Sequence, residues 1–248
     1  MSGTEEEPVF KGAEQFFDDY YNTVRGYVRQ EIIRLRLQPH LQDGQRALDF
    51  GGGDARDSIW VANNGVDVDY WDNFLEAQSR ARRAVIKADG IGYIRLHDQD
   101  PTEDPTTTRY ELIMLHGVIQ YESPPKAEQI LERLSKVSLQ GALLSLATKN
   151  WAVVDSQEES PGVKVHTTKQ NKTSRAYSAE YLTKWLGKVG FSVVDIRGVR
   201  CLSDDDERML SEVPKEELDQ IISEENYRTE HKDSLEIGQM LHVLAIKR

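Results

Sequence analysis

A short apolar run, RALDF (46–50), leads straight into three glycines, Gly51, Gly52 and Gly53, and a helical stretch, DSIWVANN, starts four residues later. Few folds accept that order. Glycines after a strand permit positive φ and let backbone N–H groups come close to a ligand. A strand that turns directly into a helix is the opening of a β–α–β unit, which builds a parallel sheet. In such sheets the ligand sits beyond the carboxyl ends of the strands, where these glycines fall.

The rest of the chain repeats the alternation. VDVDYW, IGYIRL, YELIML, GALLSLATK, FSVVDIRGVR and QMLHVLAIK read as strands. NFLEAQSRARRAVIK, PKAEQILERLSKVS and SAEYLTKWLGKVG read as helices. Ahead of them Phe16, Phe17, Tyr20, Val24, Tyr27, Val28, Ile32 and Leu35 recur at helical spacing from Glu14 to Leu37, and Pro39 ends that stretch. The expected layout is a disordered tail (1–12), an N-terminal helical lid (13–45) and an α/β domain (46–248). The last element interrupts that domain with an acidic, helical insertion at about 203–232. A polar connection is expected from Asn150 to Arg175. With 248 residues the chain can bury one large core, and it has no apolar run long enough to span a membrane. The N-terminus lacks the basic and apolar regions of a secretory signal, so a cytoplasmic location is the default expectation. The single cysteine, Cys201, excludes an intrachain disulfide and a CxxC metal knuckle, and no metal is expected. A net charge of −11 argues against a general nucleic-acid binder but leaves room for a local basic site.

A second acid, Asp72, ends VDVDYW nineteen positions after Gly53, a spacing suited to ribose hydroxyls. The loop therefore reads as a nucleoside site, for a dinucleotide or for S-adenosylmethionine. Arg56 replaces the third glycine of a dinucleotide fingerprint. Asp49, placed to hold the loop's N–H groups, would oppose a pyrophosphate. The closing strands suit an antiparallel hairpin and not a second mononucleotide half. All three favour S-adenosylmethionine.

With those residues in hand, ALDFGGGDA resembles motif I of the class I S-adenosylmethionine-dependent methyltransferases. Asp72 with Asn73, the HDQD loop (97–100), YELIMLHGVIQYE and GALLSLATKN resemble their later motifs. That resemblance implies a Rossmann-like α/β fold, with a seven-stranded, mainly parallel sheet whose last strand is antiparallel. FFDDYYNTVRGYVRQEII, LIMLHGVIQYESPP, RGVRCLSD and LEIGQMLHVLAIKR together resemble the bacterial tRNA 5-carboxymethoxyuridine methyltransferase family, which converts a carboxymethoxy group on the wobble uridine to its methyl ester. The resemblance implies cofactor contacts from Arg29, Gly51, Gly52, Asp72, Asp98, Gln99 and His116; Asp49, Gly53 and Asn73 adjoin them. Three departures stand out. Ala55 replaces the last glycine of the family's GGGxG, the segment from Trp151 to Arg175 is shorter and differently composed, and Asp204 to Glu207 is acidic.

Methyl transfer from a sulfonium is an in-line displacement that rewards positioning. A carboxylate acceptor is already ionised and needs no base, only a cation to hold it. Arg25, Arg29 and Arg200 are candidates, and Tyr20, Tyr21, Tyr121 and Tyr177 can stack on a base or donate a hydrogen bond. An amine or phenol acceptor would want a base, and His116 is placed for it; the alternative is a histidine satisfied within the fold. Cys201 reads as a core residue. Lys164, Lys169, Lys172 and Arg175 form an acid-free basic cluster that is either a phosphate-contacting edge or a solvated loop. The acceptor is thus a tRNA carboxylate or, alternatively, a small molecule taken by an O- or N-methyltransferase. A cofactor-binding protein without catalysis is the further rival.

Overall fold

The computed structural model describes residues 20–88, 93–104, 109–168 and 171–248. Helix α1 (Val24–Leu37) precedes strand β1 (Arg46–Phe50), α2 (Arg56–Ala62), β2 (Asp67–Trp71), α3 (Leu75–Lys87), β3 (Ile94–Leu96) and β4 (Tyr110–His116). Then come α4 (Pro124–Val137), β5 (Ser138–Asn150), β6 (Glu158–Ser160), β7 (Val163–Thr167), β8 (Thr173–Tyr177), α5 (Ala179–Lys188) and β9 (Phe191–Val199). Helix α6 (Lys215–Thr229), the single turn α7 (Ser234–Ile237) and β10 (Met240–Lys247) close the chain.

β3, β2, β1, β4 and β5 run parallel in that spatial order. β10 then pairs antiparallel with β5 and with β9, which gives the expected reversed last strand. Among the described residues the sheet has ten strands, not the seven expected. The three extra strands come from the connection read as a polar loop. β5 is 13 residues long, and Lys149 at its end pairs with Met240 on one side and Ala176 of β8 on the other. β8 carries β7 and β6 outward as an antiparallel extension.

Alternating side chains serve two cores, as a sheet covered on both faces requires. Leu48, Ile113, Leu115, Leu144 and Leu146 meet Ile130, Leu131 and Leu134 of α4 and Leu182 and Leu186 of α5. Ala47, Val68, Leu112 and Met114 meet Leu37 of α1 and Val61 and Ala62 of α2. α1 also buries Val24, Val28, Ile32 and Ile33 against Ala147, Val199 and Met240, with α6 packed outside. Each of these side chains contributes about 2 kcal/mol on burial, so α1 is held as a structural member of the domain.

The helical run expected from Glu14 to Leu37 is interrupted. Residues 14–19 lie outside the described residues, as does the tail (1–12). Tyr20 and Tyr21 are helical, the chain breaks at Asn22 and Thr23, and Thr23 then caps α1 by accepting from Gly26 N at 3.3 Å. Its hydroxyl donates to Tyr20 O at 2.6 Å, which folds the tyrosines back over the first turn. Gly26 permits this: a Cβ there would lie 2.0 Å from Tyr20 O. The acidic stretch expected to be helical at about 203–232 is so only over 210–212 and α6. Its first part lies along the start of α1, with Val24 N donating to Arg208 O and Arg25 N to Asp206 O. Among the described residues no helix is long and apolar enough to cross a membrane, and no cluster of three or more His, Cys, Asp or Glu side chains is placed to hold a metal ion.

Candidate active site

The glycine turn sits beyond β1. Gly51 N and Gly52 N donate to Trp71 O at 2.8 and 3.3 Å, which ties the turn to the end of β2. Gly53 N donates to Asp72 Oδ2 at 3.0 Å, and Phe74 N donates to Asp72 Oδ1 at 2.9 Å. The Asp72 carboxylate is 5% exposed, and burial pushes it above its ordinary range against these bonds. A carboxylate has about four acceptor directions, so these bonds do not exhaust it for a ribose hydroxyl. A Cβ on Gly52 would lie 2.6 Å from Asp49 Oδ2 and 2.7 Å from Tyr70 Cε2. The turn therefore lies directly on those side chains with nothing between. Tyr70 OH donates to Gly53 O at 2.6 Å and closes the cradle.

Asp49 does not hold the loop's N–H groups as expected. Its carboxylate accepts from Ser58 Oγ at 2.6 Å in the first turn of α2. Burial, followed by the neighbouring Asp57 charge, pushes it up to about 7. Ala55, where the family has glycine, keeps the left-handed conformation at φ 64° and precedes α2. The local turn survives the substitution, at a cost of about 1 kcal/mol.

Asp98 and Gln99 follow β3 and are exposed, with Asp98 paired to Arg82 at 3.3 Å. Asn73 is exposed as well. These three border the cradle in sequence but are not drawn into its buried part. His116 ends β4 with both ring nitrogens engaged, Nδ1 at 3.0 Å from Asp57 Oδ2 and Nε2 at 2.9 Å from Ser145 Oγ.

A second, cationic half adjoins the first. Arg29 is buried on α1 and hydrogen-bonded to Tyr20 and Tyr21. Arg200 Nη1 donates to Tyr20 OH at 3.3 Å, and the guanidiniums of Arg25 and Arg200 each lie 5.8 Å from the Tyr20 ring centre. Burial works to raise the Tyr20 phenol, but Arg200, Arg29 and Arg25 outweigh it and draw it below its ordinary value. Burial pushes Tyr21 up to about 12 and raises Tyr121. Arg200 adopts φ +59°, costly for a residue with a Cβ, and is held there by its surroundings. Glu225, fully buried on α6, accepts from the backbone N–H groups of Cys201, Leu202 and Ser203 at 2.5, 3.0 and 3.0 Å. Arg200 also pairs with Asp204, and Arg25 with Glu207 at 2.7 Å, so the acidic segment anchors two of the cations.

Lys149, at the end of β5, belongs to the same group. Burial and then the Arg200 charge bring its ammonium down to about 8. The sequence reading passed over it; its signal is a lone lysine at the carboxyl end of an otherwise apolar strand. Cys201 is pushed up to about 12 by burial and then Glu225, which leaves it no thiolate to act with. The basic cluster is partly spent within the fold. Lys164 Nζ donates to Trp151 O and Val154 O at 3.2 and 2.7 Å, and Arg175 pairs with Glu159 at 2.8 Å. Lys172 is half-buried, and Lys169 lies outside the described residues.

A parallel sheet with a reversed last strand and a glycine cradle facing an acid at the end of β2 define a class I methyltransferase, an enzyme that uses S-adenosylmethionine. The chain belongs to the family described as methyltransferase domain, whose model matches residues 21–196. It is 27% identical over 207 residues to the tRNA 5-carboxymethoxyuridine methyltransferase of Escherichia coli K12, covering 77% of this chain and 78% of that one. Solved structures share the fold. A 1,6-didemethyltoxoflavin-N1-methyltransferase from Burkholderia thailandensis, with bound S-adenosylhomocysteine, superposes with a TM-score of 0.58 at 16% identity and covers 100% of this chain and 93% of that one. An S-adenosylmethionine-dependent methyltransferase from Clostridium acetobutylicum gives 0.61 at 13% identity, over 95% of this chain and 99% of that one.

Proposed function

We propose that this methyltransferase esterifies a carboxylate carried by a modified tRNA wobble uridine. The observation that carries the reading is the convergence of Arg25, Arg29, Arg200 and Lys149 at one end of a chain whose net charge is −11. Cations gathered against the overall charge mark a site for an anion. The E. coli relative, named for a carboxymethoxyuridine acceptor, supports the tRNA part.

Gly51, Gly52, Gly53, Asp72 and Arg29 would hold the cofactor, whose sulfonium supplies an electrophilic methyl group. Arg200, Arg25 and Lys149 hold the acceptor carboxylate by charge, leaving one oxygen lone pair to form the new C–O bond as the C–S bond breaks. The electron pair of that bond stays on sulfur, and no proton moves. Tyr20, Tyr21 and Tyr121 stand beside these cations and are the side chains on which a base would stack. Since Lys164 and Arg175 are engaged within the protein, the alternative reading of a small anionic acceptor keeps a specific basis.

The test uses cofactor labelled on its methyl group, with unmethylated bulk tRNA and, separately, a small-metabolite extract. The expected result is label in an alkali-labile uridine ester after tRNA digestion. Label only in the extract would overturn the tRNA assignment and retain the cation site.

A further inference from the structure

A buried polar chain crosses the sheet beside the site. Arg36 Nη1, on α1, lies 2.7 Å from His242 Nδ1 on β10. His242 Nε2 is 2.8 Å from Ser145 Oγ on β5, which is 2.9 Å from His116 Nε2 on β4. His116 Nδ1 is 3.0 Å from Asp57 Oδ2 on α2. Asp57 Oδ1 in turn accepts from Gln30 Nε2 at 3.0 Å and faces Arg34 Nε at 3.6 Å, both on α1. The chain thus starts and ends on the same helix and closes into a ring.

Its protons can be ordered from one fixed point. A guanidinium only donates. His242 Nδ1 must therefore accept, and the ring's one proton sits on Nε2 and goes to Ser145 Oγ. A protonated His242 would set two donors against each other at Arg36. Ser145 has one hydrogen and a single acceptor left in the chain, His116 Nε2. The His116 proton then sits on Nδ1 and goes to Asp57. This assignment follows from the partners and gives every imidazole and hydroxyl hydrogen of the chain an acceptor. The charged groups around His242 agree with it. Burial and then Arg36, His116, Arg29 and Arg197 hold it well below the ordinary imidazole range. Asp195 takes the other Arg36 nitrogen at 2.9 Å, so both ends of the chain are charge-balanced.

We propose that Arg36, His242 and Ser145 are positioning residues that lock His116 as a neutral Nδ1–H imidazole on Asp57 and fix α1, with Arg29, against the glycine cradle. The link to the cradle rests on reading Gly51–Gly53, Asp72 and Arg29 as the cofactor site. His116 in this state has no free nitrogen lone pair and takes no proton from an acceptor. The helix is fastened at two points, and the chain between them crosses three strands.

The first test is ¹⁵N NMR of the histidine-labelled full chain between pH 6 and 8. His116 should show a pyrrole-type Nδ1 and a pyridine-type Nε2, and His242 the reverse. His116 with two pyrrole-type nitrogens, or with its proton on Nε2, overturns the proposal. The second test is Ser145→Ala, which removes one hydroxyl and leaves the two Nε2 atoms without partners. S-adenosylhomocysteine should bind about tenfold more weakly by calorimetry. Ser145→Cys, which keeps a weak donor and acceptor, should recover part of the loss. Wild-type affinity in Ser145→Ala overturns the link between ring and cradle. A wild-type chain that shows these tautomers but binds no cofactor would instead sink the reading of the cradle. If Ser145→Ala does not fold, the wild-type spectrum still decides the proton order.

Discussion

Gly52→Ala gives the sharpest check on the cradle. The added methyl would lie 2.6 Å from Asp49 Oδ2 and 2.7 Å from both Asp49 Cγ and Tyr70 Cε2. None of these can swing away. Asp49 is bonded to Ser58 at 2.6 Å, and Tyr70 is 1% exposed with its hydroxyl on Gly53 O. The loop itself must rise, which pulls Gly53 N from Asp72 and weakens the hold on Trp71 O. Overpacking of this kind costs about 1–3 kcal/mol. Charged to cofactor binding, that is about 5- to 150-fold in Kd. Gly53→Ala is the control, because a Cβ there meets nothing within 4 Å and only the positive φ is penalised, by about 1 kcal/mol. Calorimetry with S-adenosylhomocysteine should rank wild type tightest, Gly53→Ala next and Gly52→Ala weakest. A Gly52→Ala protein that is fully folded and binds within twofold of wild type would refute the packing argument.

Arg200→Ala should raise the KM for the acceptor by tenfold or more while the S-adenosylhomocysteine Kd stays within about threefold, since its partners are Tyr20 and Asp204; steady-state kinetics and calorimetry separate the two. Asp49, pushed up to about 7, binds its proton more tightly folded than unfolded, so stability should fall as pH rises from about 4 to 7 and level off above. Asp49→Asn should flatten that slope in denaturant titrations, and an unchanged slope would clear Asp49 of the effect. Glu225→Ala leaves three backbone N–H groups without their acceptor and should cost about 2–5 kcal/mol in urea unfolding, together with acceptor affinity as Arg200 is released; a loss under 1 kcal/mol would contradict the anchoring role.

The parts legible in sequence are those encoded locally. RALDF followed by three glycines specifies a strand and a turn by itself; β1, β2, β3, β9 and β10 fall within the expected strands, and β4 and β5 cover theirs and run past them. β6 to β8 escaped because VKVHT and TSRAY are short alternations set among turn residues, and their pairing depends on β5 running past the end of β4. The break before α1 escaped because the apolar period continues through it. Thr23, a capping residue, and Gly26, an unusual helix residue, were the signals there. The ring was not legible at all, since Arg36, Asp57, His116, Ser145 and His242 lie on five elements and each looks ordinary alone. Arg29 was placed only through a resemblance, because a single arginine on a helix reads as solvated until packing buries it.

The site divides by charge, and the division matches a reaction without proton transfer. On the cradle side the ionisable groups are pinned: Asp72 by two backbone N–H groups, Asp57 by His116 and α1, His116 by Asp57 and Ser145. His116, with one nitrogen on Asp57 and the other on Ser145, has no lone pair free to act as a general base. Asp49 has the matching pKa, but it is 3% exposed and faces Ser58 beneath the glycines. On the other side stand Arg25, Arg29, Arg200 and Lys149, and cations disfavour any acceptor that must first become positive. An amine attacking the methyl group would build charge among them, whereas a carboxylate loses charge it no longer needs. The same enclosure that brings Lys149 down to about 8 strengthens its pull on an anion that enters. These cations therefore favour the proposed carboxylate acceptor over an amine.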